Sequence, residues 1–125
     1  MAVNYSAGLK TSRMAAVITA IDVNASPATI EIATTAFASV LVTITLADPS
    51  FTESGGVITM AGAPKSGVAA NTGTAAVARI KDGGGNVIVN NLSVGTSGSD
   101  INLNSTSITS GQTVTITSGT ITHSA

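Results

Sequence analysis

The sequence predicts an all-β domain, an antiparallel β-sandwich of jelly-roll type, with a single α-helix at its N-terminus. Three observations point there. From residue 28 onward apolar residues recur at every second position; clusters of Gly, Ser, Asn and Asp punctuate the chain at intervals of about 8 to 12 residues; and no helical period returns between those clusters. With 125 residues the chain has the size of one domain around one core. Residues 1–27 read as helix and linker, residues 28–125 as the β-sandwich.

The helix is predicted over residues 6–22. Met14, Val17, Ile18 and Ile21 fall at i, i+3, i+4 and i+7, which lines up one apolar stripe at 3.6 residues per turn. Tyr5 and Leu9 lie one and two turns earlier on a neighbouring stripe. Ser6 is a suitable N-cap, Gly8 weakens the first turn, and Asn24 to Pro27 is where the helix stops. Lys10 and Arg13 ahead of the run from Met14 to Ile21 imitate a leader peptide, but Thr19 interrupts the run and Asp22 ends it. The stripe must find a partner, either the β domain of its own chain or a neighbouring subunit. Leu9, Met14, Val17 and Ile21 are therefore candidate interface residues.

The strands follow. Over residues 29–34, Ile30 and Ile32 face away from Glu31 and Ala33. Over 39–46, Val40, Val42, Ile44 and Leu46 share a face opposite Thr43 and Thr45, with Leu41 the exception. Residues 57–61 form a short strand, and 74–81 set Ala76, Ala78 and Ile80 against Val77, Arg79 and Lys81. After the Asp82-Gly-Gly-Gly-Asn86 run comes 87–94, then the alternation around Ile101 and Leu103, Val114 and Ile116, and finally Ile121. Seven or eight strands are expected. The polar segment 61–73, with Pro64 and Lys65 inside it, is expected to be an extended loop. A Ser/Thr-Ile-Thr theme recurs at 107–109, 115–117 and 120–122, as half-exposed strands require.

Composition narrows the function. Only 9% of the residues are charged and 2% aromatic, against 43% hydrophobic and a mean hydropathy of +0.45, where an ordinary soluble domain is about 25% charged. Thr, Ser, Asn and Gly must then cover much of the surface, and such a surface suits burial against neighbouring chains. A net charge of −1 offers no field for a polyanion, so no nucleic acid is expected. There is no cysteine, hence neither disulfide nor thiolate metal site. No membrane is expected either: the apolar region 36–47 is broken by Ser39, Thr43 and Thr45 and falls short of the about 20 residues of a spanning helix, and one Tyr with two Phe cannot build the aromatic girdles of an outer-membrane barrel.

No catalytic, cofactor-binding or metal-binding residue is predicted. His123 is the single histidine and has no second imidazole with which to share a metal or relay a proton. Nearly all of the six acids fall at predicted strand ends or turns, and the abundant hydroxyls lack the base that would activate one. The run from Asp82 to Asn86 lacks the further acids of a calcium loop and the lysine of a phosphate loop, and reads as a hairpin turn. Arg79 and Lys81, on one strand face, are candidate interface cations, either solvated or paired with an acidic neighbour in an assembly.

Several stretches resemble a group of small proteins encoded among the virion genes of tailed bacteriophages and prophages. They are Leu9-Lys10-Thr11 with Arg13-Met14, the run from Ser39 to Pro49, Ala78 to Asp82 with Gly85-Asn86-Val87, and Ile108 to Ile116. The resemblance implies a virion structural protein, assembled in the host cytoplasm, that decorates or cements the capsid. It implies a homo-oligomer, with capsid threefold sites favouring a trimer over a dimer, seated on the major capsid protein or another virion protein. It carries over no functional residues. A tail, neck or fibre component is the alternative within that class, and a receptor- or glycan-binding module, using the segment 61–73, the alternative outside it.

Overall fold

The computed structural model describes residues 6–23, 27–47, 50–62 and 64–122. Helix α1 (Ala7–Ile21) forms where the 3.6-residue period predicts it. The Ser6 side chain accepts the Leu9 N–H at 3.2 Å, and Asp22 closes the last turn through its N–H on the Ile18 carbonyl. Tyr5 and Asn24 lie outside the described residues.

Eleven strands follow among the described residues, more than the seven or eight expected: β1 (Thr29–Ala33), β2 (Val40–Thr45), β3 (Phe51–Ser54), β4 (Val57–Met60), β5 (Lys65–Val68), β6 (Gly73–Thr74), β7 (Val77–Lys81), β8 (Val87–Gly95), β9 (Ile101–Leu103), β10 (Ser107–Ile108) and β11 (Thr113–Thr122). Nine of them build one curled sheet in the order β2-β1-β7-β8-β9-β11-β4-β3, with β5 beside β11; β6 and β10 pair separately. This is the jelly-roll-like all-β architecture. It is mixed rather than purely antiparallel, because β8 and β9 run parallel. Their connection returns in the same direction under a reciprocal clamp, in which the Ser93 N–H donates to Asp100 Oδ2 at 3.0 Å and the Asp100 N–H to Ser93 Oγ at 2.9 Å.

The inward residues of alternating strands close a single core. Ile30, Ile32, Ile44, Ile58, Ile80, Ile101, Leu103 and Ile116 are at most 1% exposed, each contributing about 1.5–3 kcal/mol of transfer free energy. Helix α1 packs against β3, β4 and β8 and places Met14 and Ile21 in that same core. The stripe thus finds its partner within the chain. No helix among the described residues is long and apolar enough to cross a membrane.

Two local expectations are corrected, and the exceptional Leu41 finds its place. Residues 61–73 are not a loop, since β5 lies within them and pairs with β11 from Lys65↔Ile116 to Val68↔Thr113. Ala33, expected on the outer face beside Glu31, is fully buried, because the β1–β2 register shifts between Ile32 and Ala33 and a bulge turns the side chain inward. Leu41 breaks the alternation of its strand yet is also buried: Gly73 sits on it so closely that a Cβ there would lie 3.0 Å from Leu41 Cδ2.

The curled sheet brings β5 back against β2. The chain just after β5 is tied to β2, with the Ala70 N–H donating to the Leu41 carbonyl at 2.8 Å and Asn71 Nδ2 to the Val40 carbonyl at 2.8 Å. Gly67 permits this approach. A Cβ there would stand 2.8 Å from Ile44 Cγ1 and 3.2 Å from the Thr43 carbonyl oxygen.

Candidate functional site

Two outer faces carry the distinguishing chemistry. On the first, β1 pairs with β7 so that Glu31 lies directly opposite Arg79. Arg79 Nε donates to Glu31 Oε1 at 2.6 Å and Lys81 Nζ approaches the same oxygen at 3.2 Å. Partial burial pushes the Glu31 carboxyl pKa up, but the hydrogen bonds and charges of Arg79 and Lys81 outweigh it, so the group stays below its ordinary range. Both cations predicted as interface residues therefore have an acidic partner inside their own chain, worth about 0.2–1 kcal/mol for each cross-strand pair.

The Phe37 ring covers the other side of Arg79, 4.6 Å from the guanidinium carbon to the ring centroid. Phe37 reaches that place from the turn between β1 and β2, where Ala36 and Phe37 both take left-handed backbone angles, φ 59° and 55°. The turn is clamped at its base: the Thr34 N–H donates to the Ser39 carbonyl and the Ser39 N–H to Thr34 Oγ1, each at 3.0 Å. Two strained residues thus hold one aromatic ring on one arginine.

The second face is outward on β3, β4, β5, β9 and β11, and is built from rows across the ladders. Thr52 pairs with Thr59 and Thr59 with Thr120; Ser54 pairs with Val57 and Val57 with Thr122. Farther along β11, Ser66 lies opposite Thr115 and Val68 opposite Thr113, with Ser66 Oγ and Thr115 Oγ1 3.1 Å apart. Asn102 stands across from Ser118 at the β11 bulge and donates to its hydroxyl at 3.0 Å. No Asp, Glu, Lys or Arg occupies an outward position on these five strands. Val68, at 67% exposure, is the most exposed large apolar residue described here.

The remaining candidates take structural places. Asp82 to Asn86 is the β7–β8 hairpin: Asp82 Oδ1 accepts the N–H groups of Gly84 and Asn86, both at 2.9 Å, and Asp82 Oδ2 accepts Asn86 Nδ2 at 3.2 Å. The hydrogen bonds, those from Asn86 foremost, outweigh desolvation and hold the carboxyl below its ordinary range. No group of three potential metal ligands forms among the described residues. Of the helix stripe, Met14 and Ile21 are buried and Val17 packs on the core, which leaves Leu9, 44% exposed, as its surface member. His123 lies outside the described residues. Sequence reasoning missed Glu31 and Phe37 as partners of Arg79. The recurrent Ser/Thr-Ile-Thr theme was the available signal for the hydroxyl face.

Comparison with protein-family models, with curated proteins and with solved structures finds no match to this chain.

Proposed function

We propose that the chain is a non-enzymatic virion structural protein, a capsid decoration or cement subunit that acts as a homo-oligomer and stabilises a phage head. The observation that carries the proposal is the uncharged face of Thr, Ser, Asn and Val on β3, β4, β5, β9 and β11. A cement protein must pack many copies onto repeated sites without accumulating like charge. β-branched residues on paired strands give such a face little rotamer freedom to lose. The curled sheet, with its single core, supplies a body that keeps the face in shape, and many individually weak contacts then sum through multivalency. The virion assignment itself rests on the resemblance of the Ser39–Pro49 and Ile108–Ile116 runs.

Mixing the purified chain with phage heads that lack it tests the proposal. The expected result is saturable co-sedimentation at a fixed copy number per head, with heads that rupture at higher temperature. Heads that neither bind the chain nor gain resistance overturn it.

A further inference from the structure

We infer that the hydroxyl face is where two copies of this chain meet, the face of one pairing with the same face of the other about a twofold axis. This deepens the oligomeric part of the proposal above and replaces the threefold expectation drawn from capsid geometry. An isologous contact requires a surface that complements itself. A hydroxyl both donates and accepts, so a row such as Thr52–Thr59–Thr120 is its own complement, which a row of like charges cannot be. The 3.1 Å contact between Ser66 Oγ and Thr115 Oγ1 displays that pairing within one copy.

The opposite layer lacks this property. Arg79 and Lys81 share the single carboxylate of Glu31, and the excess positive charge there opposes a like copy. The face is small for a twofold pair: its five strands hold 25 residues, which at a rise of about 3.3 Å and a strand spacing of about 4.8 Å project to about 400 Å², at the low end of specific interfaces, whose standard is roughly 800 Å² per partner. Val57 and Val68 lie within it, and the 67% exposure of Val68 in the single chain is apolar surface that a second copy removes from water.

Sedimentation equilibrium on the full chain tests the assignment, with Thr59→Lys and Thr113→Lys placing a charge on the face and Thr45→Lys placing one on the other layer. All three sites are exposed, and circular dichroism with thermal midpoints verifies that each variant folds. The expected result is a dimer for the wild-type chain and for Thr45→Lys, and a dissociation constant raised about tenfold or more by either face variant. A monomer, a trimer, or a dimer indifferent to Thr59→Lys and Thr113→Lys overturns the inference. A monomer that still cements heads sinks only this inference, whereas a dimer that ignores heads leaves it standing and sinks the cement proposal.

Discussion

Arg79 Nε donates to Glu31 Oε1 at 2.6 Å across the β1–β7 ladder, between residues directly opposite each other. Lys81 shares the same oxygen, so one carboxylate holds two cations on a face that would otherwise carry a bare pair of positive charges. Strand register creates the arrangement. Arg79 and Lys81 are two residues apart on one strand and point the same way, and the partner strand presents its single acid opposite Arg79, within reach of Lys81.

Replacing Glu31 by Gln is therefore expected to lower stability by about 1 kcal/mol at neutral pH, two cross-strand pairs being lost. The folded-state pKa lies below the ordinary value of 4.5. The contribution is thus complete above 4.5 and lost as pH falls through the lower, folded value. Urea titrations should show a constant gap between wild type and Glu31→Gln from pH 8 down to about 5, closing in more acid solution. A gap that persists unchanged at pH 2 would refute the ion-pair account.

Gly67→Ala is expected to destabilise by about 1–3 kcal/mol, the usual cost of overpacking. The added methyl meets Ile44 Cγ1 at 2.8 Å and the Thr43 carbonyl at 3.2 Å. The first can rotate; the second is backbone and must move with β2. Because Gly67 lies where the curled sheet meets itself, amide exchange should accelerate at Ala70 and Asn71, whose N–H groups both point to the Leu41 carbonyl. A variant of unchanged stability would show that β2 and β5 are not held this closely.

What the sequence made legible was local. Helix α1 could be read because Ser6, Met14 and Ile21 act within a few turns of one another, and the β7–β8 hairpin because Asp82 and Asn86 are four residues apart. The Glu31–Arg79 pair spans 48 residues, and no local pattern states which strand will lie beside which. Strand β5 escaped because its inward positions are Lys65 and Gly67, which imitate a loop; Gly67 is apolar packing by absence of a side chain. Ala33 was misplaced by a bulge, which advances the face by one residue and leaves no mark on composition. The hydroxyl face was visible as recurrent Thr, but its width depends on β3, β4 and β5 coming to lie along the same side of the sheet as β11.

In the hairpin, Asp82→Ala removes Oδ1, the acceptor of the Gly84 and Asn86 N–H groups, together with Oδ2, the acceptor of Asn86 Nδ2. The Gly84 and Asn86 backbone amides are expected to exchange faster at fixed pH, while those of β1 and β2 stay protected, and the thermal midpoint should fall. Because the Asp82 pKa is lowered by these bonds, the stability they supply is retained above the ordinary aspartate range and lost as pH drops through the folded value. Asp82→Asn keeps one acceptor and should recover part of the protection. Equal exchange in wild type and Asp82→Ala would mean that the backbone bonds from Asp82 N–H to Asn86 O and from Gly85 N–H to Asp82 O, at 2.9 and 3.1 Å, suffice alone.

Ala36→Gly should have the sign opposite to most alanine-to-glycine changes. Ala36 is held at φ 59°, a left-handed conformation that costs a residue with a Cβ about 1–2 kcal/mol, and glycine removes that cost. The larger conformational freedom of glycine in the unfolded chain returns about 0.5–1 kcal/mol of it. The balance is a net stabilisation of about 0.5–1 kcal/mol, readable by urea unfolding. The strain persists because the Thr34–Ser39 clamp fixes both ends of the turn and Phe37, next in the chain at φ 55°, must reach the Arg79 guanidinium. Relaxing Ala36 therefore leaves the ring in place, and the Glu31→Gln penalty should be unchanged when measured in the Ala36→Gly background. A destabilised Ala36→Gly would show that the methyl group itself packs in the turn and that the left-handed angle is not its main cost.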